Sequence, residues 1–198
     1  MNAPSSSPSS SARPATGSPS PVPAVEQGPR WPDRWLAALR IVVGLWFLKS
    51  VATKLGVALA FGFLPVPAAT ARWVGFMPRR VAEYAQTVEW GAYREFLLGV
   101  VVPNGPVFAN LTAFGEAAVG LGLTLGLLTR PAAAVGLLLM ANYLTATFWV
   151  GPCQQGFHIL LVACMAAFLH AGAGRTWGLD GWLAQRSPDA WWVRRGVV

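Results

Sequence analysis

The sequence predicts an all-α integral membrane protein: a bundle of four membrane-spanning helices, with an amphipathic interfacial helix in the long loop between the first and second spans. Three observations favour this class. Hydrophobic residues make up 54% of the 198 residues and charged residues only 12%, whereas about a quarter of a soluble domain is charged. Mean hydropathy is +0.46. The apolar residues also gather into runs of about the 20 residues that cross a bilayer as a helix.

The predicted domain organisation has three parts. Residues 1–30 are rich in Pro, Ser, Ala and Gly, so they cannot bury enough apolar area to offset the entropy of ordering and are expected to form a disordered tail. Residues 31–184 hold the membrane domain, and residues 185–198 form a second tail. The net charge of +7 comes from dispersed basic residues. Because they form no basic stripe, we expect the lipid bilayer and not nucleic acid as a partner.

The four spans are expected at residues 35–57, 107–128, 132–150 and 156–174. The first lies in an overlong apolar run, which predicts a tilt or a break near Ser50–Lys54. The third follows the polar turn Thr129–Pro131, and Pro131 suits the first turn of a helix. Four spans place both tails on one side. The excess of Arg on that side assigns both termini to the cytoplasm of a multi-pass plasma membrane protein.

The loop between the first two spans contains a stretch with apolar residues at helical spacing, residues 78–102. This pattern is typical of an amphipathic helix lying in the membrane interface. An ordinary loop helix packed on the bundle is the alternative.

Ionisable residues at membrane depth are rare and call for a reason. Glu116 lies near the middle of the second span, where it is either a proton-handling or ligand-binding group or half of a structural ion pair. The helical rise places Lys49 about 21 Å and Glu116 about 18 Å from the cytoplasmic end, so an ion pair between them is expected. Arg40 and Lys54 are expected to reach outward to the two interfaces.

Further polar residues at membrane depth are candidates for contact with a ligand. The predicted ligand-binding residues are Lys49, Arg40, Asn142, Tyr143 and His158. For Asn142 and Tyr143 the alternative is polar contact between helices, and for His158 it is an ordinary interfacial histidine. Cys153 and Cys164 have neither a redox nor a zinc spacing, and no metal site or cofactor motif is evident.

Three stretches of the sequence resemble the DoxX family of small four-helix membrane proteins: Leu39–Leu55, Glu95–Ala133 and Ala171–Leu183. Their most specific parts are FGEAAVGLGLTLGLLTR, which contains Glu116, and the GAGR-x-x-x-LD pattern after the last span. The resemblance covers about residues 35–183. It places Glu116, Arg130, Arg175 and Asp180 at positions that the family pattern favours, the last three as a structural motif.

The resemblance looks closer to the DoxD-like branch, which includes the small subunit of thiosulfate:quinone oxidoreductase. It implies a membrane subunit of a redox system that oxidises thiosulfate to tetrathionate and passes electrons to membrane quinone, the substrate. The implied partner is a second redox subunit or further copies of the chain. Glu116 would supply a proton, and Arg79, Arg80 and Arg94 would attract an anionic substrate. The alternative is a non-catalytic membrane scaffold or assembly partner of a redox or stress-response complex.

Overall fold

The computed structural model describes residues 31–61, 63–194 and 197, and this part of the chain is mostly helical. The predicted tail at residues 1–30 lies outside the described residues, as do residues 195, 196 and 198 of the second tail. In chain order the elements are α1 (Trp31–Val51), β1 (Leu55–Ala60), β2 (Leu64–Ala69), α2 (Ala71–Thr87), α3 (Gly91–Phe96), a π-helical segment (Leu97–Val101), α4 (Gly105–Leu125), α5 (Thr129–Thr147), α6 (Pro152–Ala171), α7 (Leu179–Arg186) and α8 (Trp191–Arg194).

The four long helices pack against one another around one apolar core. Helix α1 packs on α4, α4 on α5 and α5 on α6, and α6 also contacts α1. The core between them includes Val43, Phe47, Val119, Leu123, Met165 and Phe168. Among the described residues, α4 and α6 are long and apolar enough to cross a membrane, by length and composition.

Helices α4, α5 and α6 each begin and end a few residues before the predicted segments. Pro106 and Pro152 occupy the first turns of α4 and α6, where the missing N–H of proline costs nothing. Gly126 (φ +62°) and Gly172 (φ +60°) end α4 and α6 in the left-handed conformation, which glycine adopts without steric penalty. These local signals define the ends more sharply than the apolar runs do.

The expected break in the first apolar run is present, since α1 ends at Val51. The predicted mostly helical character is confirmed, but the prediction did not include the hairpin in which β1 and β2 pair antiparallel. Pro65 and Pro67 lie in β2, where an edge strand tolerates a residue that a helix interior would not. The two ends of the hairpin lie side by side, because the Thr70 N–H donates to the Lys54 carbonyl at 2.8 Å.

The predicted loop helix is in fact two helices. Helix α2 begins seven residues before Pro78, because the Thr70 side chain caps it by accepting from the Trp73 N–H at 3.3 Å. Pro78 lies inside α2 against Gly105 of α4, where an added Cβ would lie 2.2 Å from the proline ring. The buried face of α2 packs on the π-helical segment and α4. The loop helix is therefore packed on the bundle.

The end of the bundle away from the hairpin contains the turn between α4 and α5, and we call it the turn end. Two buried charged residues stabilise it. Arg40 is fully buried and donates to the carbonyls of Leu123, at 2.5 Å, and Trp177, at 3.0 Å. The Asp180 carboxylate accepts from the N–H groups of Leu128, at 2.7 Å, and Thr129, at 2.9 Å. These bonds satisfy backbone groups that helix ends leave unpaired. The prediction that Arg40 reaches outward is wrong, because it faces these carbonyls.

Close packing at the turn end predicts that Gly174→Ala destabilises the protein. The added Cβ would lie 2.1 Å from Asp180 Oδ2 and 2.2 Å from Thr129 Oγ1, so we expect the free energy of unfolding to fall by about 1–3 kcal/mol. Gly156→Ala is the control, because its Cβ would meet nothing within 4 Å and alanine favours a helix. Thermal unfolding of the purified variants checks this, and equal melting temperatures would contradict it.

Candidate functional site

Glu116 is buried between helices near the middle of α4, where the end of α1 reaches it. We call the end of the bundle nearer the hairpin the hairpin end. Three side chains donate to its carboxylate. Oε2 accepts from Ser50 Oγ at 2.9 Å and from Lys54 Nζ at 2.5 Å, and Oε1 accepts from the Tyr143 hydroxyl at 2.8 Å. The donors come from α1, the turn after α1 and α5. A buried carboxylate is stable only when paired and hydrogen-bonded in this way.

The ion-pair partner of Glu116 is Lys54, so the prediction of Lys49 is wrong. The buried face of α1 carries Arg40, Val43 and Phe47, and the same three- and four-residue spacing leads on to Ser50 and Lys54. Lys49 is exposed on another face, with its ammonium 5.3 Å from the centre of the Trp46 ring. The prediction compared only how far along their helices Lys49 and Glu116 lie. The direction in which each side chain leaves α1 decides which lysine faces Glu116. Lys54 accordingly points inward and not to the outer interface.

The Lys54 ammonium also contacts an aromatic ring. It lies 4.5 Å from the centre of the Trp73 ring on α2, within the range of a cation–π interaction. The Trp73 indole N–H donates to the Ala109 carbonyl of α4 at 3.0 Å. Helix α2 is thereby held against both the ion pair and α4.

A cavity of about 540 Å³ adjoins this cluster, between α2, the π-helical segment, α4, α5 and the start of α6. Much of its wall is apolar or aromatic and includes Trp73, Phe76, Phe96 and Phe108. Its polar lining includes Lys54, Thr112, Asn142, Tyr143, Gln154 and His158. Glu116 lies behind Lys54 and Tyr143. A largely apolar cavity of this size with a few converging polar groups is typical of a site for a small organic molecule.

The hydrogen bonds of His158 fix which ring nitrogen carries a proton. Nδ1 lies 2.9 Å from the Gln154 carbonyl, which can only accept, and 3.1 Å from Thr147 Oγ1. Thr147 Oγ1 already donates to the Tyr143 carbonyl at 2.8 Å. Nδ1 is therefore the donor, and in the neutral ring Nε2 carries the lone pair. Because His158 lines the cavity, Nε2 is the nitrogen left to contact a ligand.

Asn142 is exposed and also lines the cavity. The Tyr93 hydroxyl donates to its backbone carbonyl at 3.2 Å. Burial raises the pKa of Tyr93 to about 12, so this hydroxyl keeps its proton and remains a donor at neutral pH. The contact fixes α3 to α5 and leaves the Asn142 amide at the edge of the cavity.

Only some of the predicted ligand-binding residues come together. Asn142, Tyr143 and His158 line the cavity, whereas Arg40 and Lys49 do not. The predicted structural motif lies at the turn end: Asp180 caps α5, Arg175 lines a second cavity of about 230 Å³, and the Arg130 guanidinium lies near Gly172.

The roles of Ser50, Lys54 and Trp73 were missed. The spacing of the buried face of α1 could have indicated the first two, but only the folded hairpin brings Trp73 to Lys54.

No group of three or more His, Cys, Asp or Glu residues that could hold a metal ion occurs in the part of the chain that the structure describes. Cys153 is exposed and Cys164 buried, and both are free thiols. The Glu116 cluster itself offers proton exchange and hydrogen bonding around a buried carboxylate.

Exchanging each lysine for methionine tests which one pairs with Glu116. Lys54→Met removes the charge partner of a buried carboxylate, so we expect a loss of about 3 kcal/mol in the free energy of unfolding. Lys49→Met, the control, changes an exposed residue and should have little effect. A Lys54→Met, Glu116→Gln double variant should recover part of the loss, as measured in a double-mutant cycle of unfolding. Additive losses would exclude the coupling.

Comparison with protein-family models finds a match over most of the chain. No solved structure matches the chain. A family model described as the TQO small subunit DoxD matches residues 35–195, a range that holds the Glu116 cluster, the cavity and the turn-end motif. The chain therefore belongs to the DoxD family.

Proposed function

We propose that this chain is the quinone-binding membrane subunit of a thiosulfate:quinone oxidoreductase-like system. The observation that carries the proposal is the cavity near the hairpin. Aromatic rings and polar groups both line it, and the buried Glu116 carboxylate lies directly behind two of the polar groups, Lys54 and Tyr143. The family description supports a role as the small subunit of a complex. The electron donor is then a second subunit, which oxidises the sulfur compound.

In this proposal α1, α4, α5 and α6 all cross the plasma membrane. Both termini lie in the cytoplasm, and the hairpin and α2 lie at the outer surface. The exposed side chains along these helices include many that suit lipid, among them Val42, Leu45, Leu111, Leu138 and Leu160. Arg40 and Glu116 are buried between helices, as expected for charged residues at membrane depth.

The cavity suits a quinone head group by its size and chemistry. A quinone ring presents two flat apolar faces, which aromatic walls accommodate well. Its carbonyl oxygens accept hydrogen bonds, which the Lys54 ammonium can donate from the cavity wall. In the reduced form the same oxygens carry hydroxyl groups, and the lone pair on His158 Nε2 can accept from one of them.

Reduction of the quinone takes up two electrons and two protons. Oxidation of two thiosulfate ions to one tetrathionate releases the two electrons and no protons, so both protons must come from the protein or water. Glu116 must first take up a proton from water. The Tyr143 hydroxyl, which donates to Glu116 in the resting arrangement, then gives its own proton to the quinone oxygen and accepts the proton of Glu116. The 2.8 Å bond between Tyr143 and Glu116 supports this route.

Basic residues of α2 support attraction of an anionic sulfur compound to the outer surface. Arg79 and Arg80 are both exposed, and Arg80 also lines the cavity. Arg80 pairs with Glu83 at 2.6 Å, which reduces its net charge. Arg94 instead donates to the Val88 carbonyl, so its role is to hold the end of α2.

Thiosulfate-dependent reduction of a quinone analogue tests the proposal. The chain is purified with and without the proteins encoded beside it, and activity is expected only when both subunits are present. Glu116→Gln should lower kcat by about 10²- to 10⁴-fold, the usual worth of a proton-transferring group. Glu89→Gln, at an exposed acid outside the cavity, is the matched control. Absence of activity in every combination would favour the scaffold alternative.

Binding of a quinone analogue to the purified chain gives a test that does not depend on turnover. His158→Phe removes the Nε2 acceptor from the cavity wall, so we expect the Kd of the reduced analogue to rise about tenfold, the worth of one hydrogen bond. His170→Phe is the control, because His170 is exposed at the other end of α6. Equal Kd values for the two variants would exclude contact with His158.

A further inference from the structure

Two leucines that line the cavity are also strongly exposed. Leu111 of α4 is 63% exposed and Leu138 of α5 is 72% exposed, yet both contribute to the cavity wall. A side chain that borders an internal space and also faces outward lies at an opening between the two. The cavity therefore opens sideways, between α4 and α5.

The contacts between α4 and α5 show why the opening lies at this level. Towards the turn end the helices are close, because a Cβ on Gly122 would lie 2.6 Å from the Ala132 Cβ. At Gly115 an added Cβ would lie 3.3 Å from Leu139 Cδ1, so contact is still direct. Towards the hairpin end from this level, residues of both helices line the cavity. Leu111 and Leu138 are at its edge.

The depth of the opening indicates what it faces. Leu111 is six residues from the start of α4 and Leu138 nine residues from the end of α5, or about 9 and 14 Å at the helical rise. In the proposed membrane arrangement both leucines lie within the outer half of a hydrocarbon core about 30 Å thick. The opening then faces lipid acyl chains and not water.

We propose that the cavity takes its ligand sideways from the bilayer through this α4–α5 opening, and that the opening holds the ligand's long alkyl or isoprenoid tail. This inference rests on the proposed quinone-binding function. The tail lies between Leu111 and Leu138 while the ring occupies the cavity beside Lys54 and Tyr143. The exposed Asn142 amide, one turn beyond Leu138, offers the polar head a hydrogen bond as it enters.

Closing the opening with a bulky side chain tests the inference. Leu138→Trp is compared with Leu121→Trp, since Leu121 is an exposed α4 residue, 52% accessible, outside the cavity wall. Binding is measured to each purified protein in nanodiscs, with a quinone that has no side chain and with the same quinone carrying a decyl chain. We expect Leu138→Trp to slow association of the decyl quinone at least about tenfold. Leu121→Trp should bind both ligands as the wild type does.

The outcomes separate the two proposals. Selective loss of the tailed ligand in Leu138→Trp supports the sideways opening, and unchanged binding of both ligands overturns it. If Leu138→Trp loses both ligands, the wild-type protein is labelled with a decyl quinone that carries a photoreactive group at the end of its tail. Labelling of α4 and α5 around Leu111 and Leu138 supports the opening. Labelling only of α2 or the hairpin overturns it. Failure of wild type to bind even the unsubstituted quinone would instead contradict the quinone-binding function.

Discussion

The buried carboxylate of Glu116 is the constraint from which the hairpin end of the structure follows. A charged group at membrane depth costs about 2.5–3.5 kcal/mol on insertion scales, so its donors must be held firmly. Ser50, Lys54 and Tyr143 supply three hydrogen bonds from three different segments of the chain. The carboxylate thereby fixes how the end of α1 and the last turns of α5 meet the middle of α4.

Lys54 extends this constraint beyond the four long helices. Its backbone carbonyl accepts from Thr70, and Thr70 caps α2. Its ammonium contacts Trp73, one turn into the same helix. The hairpin between Lys54 and Thr70 therefore places the start of α2 directly over the ion pair. Because α2 is held there and at Ala109, it forms one wall of the cavity beside α4 and α5.

Hydropathy and turn signals were enough to place the long helices. The apolar runs gave three of them to within a few residues, and Pro131 and the glycines after α4 and α6 are the local signals that end or begin them. The break after α1 was also predicted, but the hairpin was not, because LGVALA reads equally well as helix or strand. Its pairing depends on a partner strand that contains two prolines, and such a pairing is non-local.

The candidate site was predicted less completely than the helices. Glu116, Tyr143 and His158 stood out as polar residues in apolar runs, and all three lie in or beside the cavity. The lysine was assigned by depth alone, and depth cannot separate Lys49 from Lys54 when the chain turns between them. The spacing from Arg40 to Phe47 indicates which face of α1 is buried and therefore favours Lys54. The contact between Lys54 and Trp73 could not be predicted in this way, because it forms only when the whole hairpin is folded.

Arg40, which is fully buried, and Lys54, which is partly buried, show how bonding partners decide the role of a charge. Arg40 donates to the backbone carbonyls of Leu123 and Trp177, which only accept hydrogen bonds and do not exchange protons. Lys54 instead pairs with a carboxylate and an aromatic ring, and its ammonium still borders the cavity. Its flexible stem allows it to turn from Glu116 to a ligand without breaking backbone structure. Arg40 therefore stabilises the fold, and Lys54 is the basic residue placed to act on whatever enters the cavity.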